Sequence, residues 1–393
     1  MVLVLSVGVA ALAEYTPGVT TVADPESPTG FTTTIVFEAP GAEKVDIAGS
    51  FAFHWDGQPY GAEPETYYTP AQWEDGMFAI GQESHREPMT KVEGTDYFAI
   101  TYQLPSGHYQ YCFYVDDAEV RVDDPTNPGQ YSLVENGGKY TRSVFDVPYD
   151  AEKQPKSQDY AYAAKRTDGK VGTTEYVQYT DFEGTPMSLG IYLPYGYDAE
   201  RAEPYKVLYL SHGAGGDETF WVGGGASSVV FDNLIADGKC EPTVVVTMNN
   251  QIYDWKRGEK VAPNVFNAII PFVEENYNVS TEREGKAFAG LSAGGVTTCF
   301  MYRYHTDEFG YFGIFSGASS DYVWQRADLE TLKKPSVMLG VSNYDFAYNG
   351  VTKFDALLTE LGIEHGYHLV PGAHEWFTWI QLLHTFGGEY LWK

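Results

Sequence analysis

Lys286-Ala-Phe-Ala-Gly-Leu-Ser-Ala-Gly-Gly295 is a short apolar run, followed by Gly290-Leu291-Ser292-Ala293-Gly294 and then the opening of a helical pattern. This is G-x-S-x-G set between a strand and a helix. In that setting the chain turns so sharply that the serine takes a strained conformation and only glycine fits on either side. The hydroxyl of Ser292 then projects above the end of a sheet. The following helix N-terminus favours negative charge developing beside it. The same residues can also form an ordinary glycine-rich turn, so the surrounding pattern has to decide.

Apolar β-branched runs alternate with helical segments on both sides of this stretch. Strands are predicted at Glu175–Thr180, Met187–Leu193, Val207–Leu210, Thr243–Met248, Lys286–Ala289, Tyr311–Phe315, Val337–Val341 and Gly366–Val370. Helices are predicted at Val229–Ala236, Val265–Tyr277, Gly294–Tyr304, Phe354–Leu361 and Glu375–Phe386. Eight strands alternating with helices indicate a mostly parallel sheet covered on both faces.

A serine nucleophile needs a general base held by an acid, and in this topology the partners follow in the order Ser, Asp or Glu, His. Asp345 lies in the loop after the strand that ends at Val341. His374 lies in Pro371-Gly-Ala-His-Glu-Trp-Phe-Thr-Trp379, just after the last strand. Asp321 follows the preceding strand and is a tolerable substitute for Asp345. Asp355, His305 and His384 fall in helical patterns, and His365 and His368 flank or occupy the final strand. An oxyanion hole requires preorganised N–H donors. The Ala293 amide supplies one. Ser211-His-Gly-Ala-Gly-Gly-Asp217 supplies the other from the Ala214 or Gly213 amide, with His212 as a structural part of the loop.

The 393 residues carry 54 acidic and 25 basic side chains, net −29. Such a chain repels phosphate backbones, which excludes nucleic-acid binding as a main role. Residues 1–150 hold 23 acidic and 6 basic side chains, net −17, leaving −12 for the remainder. That asymmetry suggests two units. From 30 to 148 short alternating runs (Thr32–Glu38, Lys44–Ala48, Asp96–Leu104, Gln110–Val115, Glu119–Val122) indicate an all-β sandwich. Residues 149–173 are polar and without period and are read as a linker, and 174–393 as the α/β unit. Val2–Ala13 is apolar, too short to span a bilayer, and ends in small residues. It is read as a truncated signal peptide over 1–13 of a secreted protein, with no membrane span elsewhere. The three cysteines, Cys112, Cys240 and Cys299, form neither a disulfide framework nor a metal-ligand pattern, and no cofactor is expected.

At this point the second unit resembles the esterase D-like branch of carbohydrate esterase family 1, which contains feruloyl and acetylxylan esterases. The matching stretches are IYLPYGYD (191–198), KVLYLSHGAGGDETFWVGGG (206–225), NLIADGK (233–239), IIPFVEENYNV (269–279), AFAGLSAGG (287–295) and PGAHEWFTW (371–379). The resemblance implies an α/β-hydrolase fold, metal-free ester hydrolysis and Ser292, Asp345 and His374 as a triad. Three departures bear on substrate preference. Ala293 stands where Met is common, Met248-Asn249-Asn250 replaces a Pro-Asn-Gly type loop, and Gly372-Ala373-His374 replaces Gly-Gly-His. The first unit is similar to immunoglobulin-like (E-set) modules of the family 48 carbohydrate-binding type, through Ile47–Phe51 with Trp55, Tyr109–Asp116 and Asp123–Pro128. The implied substrates are feruloylated or acetylated xylan of plant cell walls, with a catecholate siderophore ester as a further alternative. An inert hydrolase-fold unit that only binds carbohydrate is the non-enzyme alternative. Trp221, Trp255 and Trp376 are candidates for an acyl-ring slot and Trp55 for stacking on a sugar, each with core packing as the competing role.

Overall fold

The structure, a computed structural model, describes residues 15–393 apart from 58–59, 62–63, 65, 82–85, 136–137, 251–257 and 319–328. The Val2–Ala13 run, Trp255 and Asp321 lie outside the described residues.

The first unit contains β1 (Gly18–Ala23), β2 (Phe31–Glu38), β3 (Val45–Gly49), β4 (Phe53–His54), β5 (Phe78–Ala79), β6 (Arg86–Pro88), β7 (Thr90–Lys91), β8 (Tyr97–Tyr102), β9 (Gly107–Val115), β10 (Tyr131–Glu135) and β11 (Gly138–Val147). They form a four-stranded sheet, β1-β2-β8-β7, and a five-stranded sheet, β10-β11-β9-β3-β6, both antiparallel. The two sheets share one core that includes Ile35, Phe37, Ile47, Phe98 and Phe113. Strand alternation explains the aromatic run of β9. Tyr109, Tyr111 and Phe113 enter that core, while Cys112 and Tyr114 cluster with Ala48 on the other face of the sheet.

Two expectations for this unit are revised. Glu119–Val122 forms no strand and makes a single bridge, Val122 to Phe113. The hairpin of β10 and β11 was not anticipated, and β1 precedes residue 30. β1 is an edge strand whose residues are at least partly exposed, so it lacks the apolar alternation that marks a buried strand.

The second unit contains β12 (Thr173–Thr180), β13 (Pro186–Leu193), β14 (Lys206–Ser211), α1 (Phe220–Gly223), α2 (Ser227–Ala236), β15 (Thr243–Met248), α3 (Gly258–Asn264), α4 (Ile270–Asn276), β16 (Lys286–Leu291), α5 (Ala293–Tyr304), β17 (Tyr311–Phe315), α6 (Leu329–Leu332), β18 (Ser336–Tyr344), α7 (Tyr348–Glu360), β19 (Gly366–Ala373) and α8 (Trp376–Thr385). The sheet order is β12-β13-β15-β14-β16-β17-β18-β19, antiparallel at the first two pairings and parallel thereafter. Both faces are buried, which is why the central strands read as unbroken apolar runs. Val207, Tyr209, Val244 and Val246 pack against α3, α4, α5 and α7, whereas Leu208, Leu210 and Val245 pack against α2 and α8. The helix expected over Val265–Tyr277 is longer and interrupted. α3 and α4 are joined by a π-turn at Val265–Ile269, next to Pro263, whose missing N–H weakens the regular ladder.

The stretch 149–173 joins the units but is anchored for much of its length. Gln154 is fully buried, donating to the Thr29 carbonyl and accepting from the Ser106 amide. Tyr160 belongs to the first unit's core. The two units are further fastened by α8. Phe377, in its first turn, sits in the core of the first unit, 5.1 Å from the Tyr109 ring and 5.2 Å from the Tyr160 ring between centroids. Phe377→Ala should therefore lower unfolding stability by about 3 kcal/mol. It should also reduce turnover, since His374 is three residues away. Chemical denaturation followed alongside an ester assay measures both effects.

Candidate active site

β16 delivers Ser292 to the C-terminal edge of the sheet, with α5 starting at the next residue. Ser292 has φ +53° and ψ −116°, a conformation that costs a non-glycine residue on the order of 1–3 kcal/mol. The flanking glycines are sterically required. A Cβ on Gly290 would lie 2.5 Å from the Gly294 backbone, and one on Gly294 would lie 2.3 Å from the Ser211 carbonyl oxygen. The Ser292 amide donates to the Phe315 carbonyl at 2.9 Å, pinning the strained residue to β17.

The other two candidates meet this serine. His374 Nε2 lies 2.9 Å from Ser292 Oγ, and His374 Nδ1 lies 2.9 Å from Asp345 Oδ1. Asp345 is fully buried and cannot donate when ionised, so Nδ1 carries the proton and Nε2 is left to accept from the serine hydroxyl. Asp345 Oδ1 also accepts from the Ala347 amide at 2.7 Å, which fixes the carboxylate. The histidine loop is tied down through the Ala373 carbonyl, which accepts from Ser342 Oγ at 2.8 Å and Thr378 Oγ1 at 2.7 Å. Gly372 has φ +151°, and a Cβ there would lie 2.4 Å from Thr378 Oγ1. The remaining candidates among the described residues are engaged elsewhere. Asp355 pairs with His365 at 2.9 Å, His368 bonds Tyr390, and His305 and His384 pack on Phe266 and Tyr162.

The Ser211–Asp217 loop lies directly beside the serine. A Cβ on Gly213 would be 3.3 Å from Ser292 Cβ, and Gly213 and Ala214 line the same cleft as Ser292. Ala293, buried, follows the serine at the first turn of α5. His212 is a scaffold residue. Burial lowers it to about 4, its Nδ1 donates to the Gly213 carbonyl at 2.5 Å, and its Nε2 accepts from the Asn250 amide at 2.9 Å.

Ser292 and His374 open into a cleft of about 610 Å³. The second unit contributes Phe220, Phe346, Trp376 and Trp379, and the first contributes Gln110, Tyr114, Tyr131 and three arginines. Of the tryptophan candidates, Trp376 lines the cleft. Trp221 does not: it is fully buried and its indole donates to the Ser211 carbonyl at 3.0 Å, so it packs beneath the loop instead of facing substrate. Trp55 is also absent from the lining and stands at the junction of the units, its carbonyl accepting from the Tyr344 hydroxyl. Sequence reasoning missed Phe346 and Trp379. Phe346 is 68% exposed, an unusual state for phenylalanine, and its ring centroid is 4.1 Å from that of His374. Its position right after Asp345 was the available signal. The Gly223-Gly-Gly225 run also has a structural reason. A Cβ on Gly223 would lie 2.3 Å from the Gln130 carbonyl oxygen, and one on Gly224 would lie 2.3 Å from the Trp376 ring. The run lets β10 and Trp376 close on the serine loop.

Glu375, next to the histidine, caps α8 by accepting from the Phe377 and Thr378 amides. Burial raises it to about 8 despite those two bonds, and the nearby Asp345 carboxylate adds to the rise.

Residues 182–341 match the Esterase family model. An endo-1,4-beta-xylanase/feruloyl esterase of Xylanibacter ruminicola is 29% identical over 285 residues, 67% of this chain but only 38% of that protein. A ferulic acid esterase structure from the anaerobic fungus Anaeromyces mucronatus matches 60% of this chain and 96% of its own, with TM-score 0.54 at 20% identity. The enterobactin esterase structure from Shigella flexneri matches 97% of this chain and 98% of its own, with TM-score 0.59 at 16% identity. At these identities the structural likenesses establish the α/β-hydrolase fold.

The raised Glu375 acid binds a proton in the folded state where the unfolded chain has released it. Its stabilising contribution is complete below about 4.5 and is lost as pH rises through about 8. In melting curves from about pH 5 to 8, the wild type should lose stability with rising pH more steeply than Glu375→Gln.

Proposed function

We propose that this chain is a carboxylic ester hydrolase that releases hydroxycinnamate, ferulate in particular, from arabinoxylan-type plant polysaccharide through an acyl-enzyme on Ser292. The observation that carries the mechanism is the continuous hydrogen-bonded series from Ser292 Oγ through His374 to Asp345. His374 Nε2 takes the serine proton as Oγ attacks the ester carbonyl. Asp345 holds the ring in register and stabilises the imidazolium. The Ala293 amide, with that of Ala214 or Gly213, receives the oxyanion. The sugar hydroxyl leaves with the proton from His374. Water then repeats the sequence on the acyl-serine and frees the acid.

The aryl acyl group is supported by the cleft wall. Phe346, Trp376 and Trp379 flank the histidine, Trp379 at 4.9 Å and 89° to its ring. An acetyl group would leave that surface unused, so acetylxylan is the less favoured substrate. The polysaccharide side is supported by the xylanase/feruloyl esterase relative. A second reading, hydrolysis of a catecholate siderophore ester, is favoured by one observation. The likeness to the enterobactin esterase runs through both units, whereas that to the fungal ferulic acid esterase covers 60% of the chain. In the ferulate reading the protein acts outside the cell, with the first unit as an E-set module that shapes the cleft.

Ser292→Ala should lower kcat/KM for methyl ferulate by at least about 10⁴-fold, because nucleophile and base act as a unit. A panel of methyl ferulate, feruloylated arabinoxylan, acetylated xylan and a catecholate ester identifies the acyl group. Ferulate release should dominate, and release of acetate alone would rule the proposal out.

A further inference from the structure

We propose that Asn343, oriented by Asp56 of the first unit, is the positioning residue that sets the acid loop against the base loop, so that the seating of the first unit tunes turnover. The proposal rests on the reading of Ser292, His374 and Asp345 as the reacting groups. Asn343 lies two residues before Asp345. Its side chain bonds Gly372, which lies two residues before His374.

Strand register shows why a side chain is needed at this point. β18 and β19 run in step as far as Ser342 opposite Val370, and the next pair is Tyr344 opposite Ala373. One residue, Asn343, therefore faces two, Pro371 and Gly372, in a bulge where the ladder lapses. Asn343 Oδ1 fills the gap. It accepts from the Gly372 amide at 3.0 Å and from the Tyr344 amide at 3.1 Å. Because both partners are N–H donors, the side-chain amide has one orientation, with Nδ2 turned away from the bulge. Nδ2 donates to Asp56 Oδ1 at 2.6 Å, a short bond to a carboxylate from the other unit. Asn343 is buried, so water cannot replace these partners if the amide turns. Two backbone contacts reinforce the same seam. The Asn343 carbonyl accepts from the Gly61 amide at 2.7 Å, and the Tyr344 hydroxyl donates to the Trp55 carbonyl at 3.2 Å. Trp55, Asp56 and Gly61 thus hold two consecutive residues of β18. Beside them Ala52 and Ile80 of the first unit pack with Tyr344 and Ala373 in one apolar cluster. Asp56 itself is exposed and does not line the cleft, so its replacement loosens the brace without touching substrate.

Steady-state hydrolysis of 4-nitrophenyl acetate by the full chain tests this, because its reactive leaving group reports on the triad whatever acyl group is preferred. Asp56→Ala should lower kcat about tenfold with KM changed by less than about threefold, since a small misplacement of reacting groups costs rate rather than binding. Asp56→Asn keeps an acceptor oxygen and should recover most of that loss. In an Asn343→Ala background, Asp56→Ala should add less than about twofold, because its effect runs through the asparagine. Four results overturn the brace: an unchanged kcat in Asp56→Ala, a loss that Asp56→Asn does not restore, a change confined to KM, or the full loss recurring in the Asn343→Ala background. The two Asp56 variants decide the matter even where Asn343→Ala does not fold. Ser292→Ala in the same assay tests the reading of the triad by itself. If it is inactive while Asp56→Ala is unaffected, the brace alone fails.

Discussion

The active site depends on how the segment after β19 is gripped from two sides. His374 must present Nε2 to a serine just after β16 and Nδ1 to a carboxylate after β18, although it sits on a loop that is mobile by default. The Ala373 carbonyl is fixed by two hydroxyl donors, Glu375 caps the helix that follows, and Phe377 is buried in the core of the other unit. Trp376 fills the space beside it, against Gly224 and 5.8 Å from the Tyr131 ring. The histidine is thereby placed by both units, and the first unit is a structural part of the site.

The same economy appears at the serine. A strained backbone conformation persists only where its surroundings over-determine it. Gly290, Gly294 and Gly317 each bring backbone so close that no side chain fits, Gly213 lies against the Leu291 side chain, and the hydrogen bond from the Ser292 amide to the Phe315 carbonyl holds the turn. The preorganisation that such a site needs is set by packing of backbone on backbone before any substrate arrives. His212, neutral and bonded through both nitrogens, extends that rigidity to the oxyanion loop.

Much of this was legible in the sequence, for identifiable reasons. The central strands are buried on both faces, so Thr243–Met248 and Tyr311–Phe315 read as continuous apolar runs and their bounds coincide with β15 and β17. The G-x-S-x-G turn is a local constraint with a local signature. Chain order points to Asp345 and His374, and the structure brings both to the serine. What was not legible is what depends on the two units meeting. Trp221 and Trp376 look alike in sequence, yet one is sealed under the loop and the other lines the cleft. The β10–β11 hairpin alternates weakly because its outer face is covered by the second unit and carries Tyr131 and Arg142. Gln154 and Tyr160 make an apparently formless stretch part of the packing. Phe346 could be found only by asking why a phenylalanine follows the acid.

The central claim, that ester bonds are cut by transfer of the acyl group to Ser292, is tested most directly by mass spectrometry of rapidly quenched reactions with methyl ferulate. The account predicts a transient feruloyl mass on the peptide containing Ser292, absent when His374 is replaced by Ala. Continued turnover with the acyl group found on another residue, or with no covalent species at any time, would contradict it.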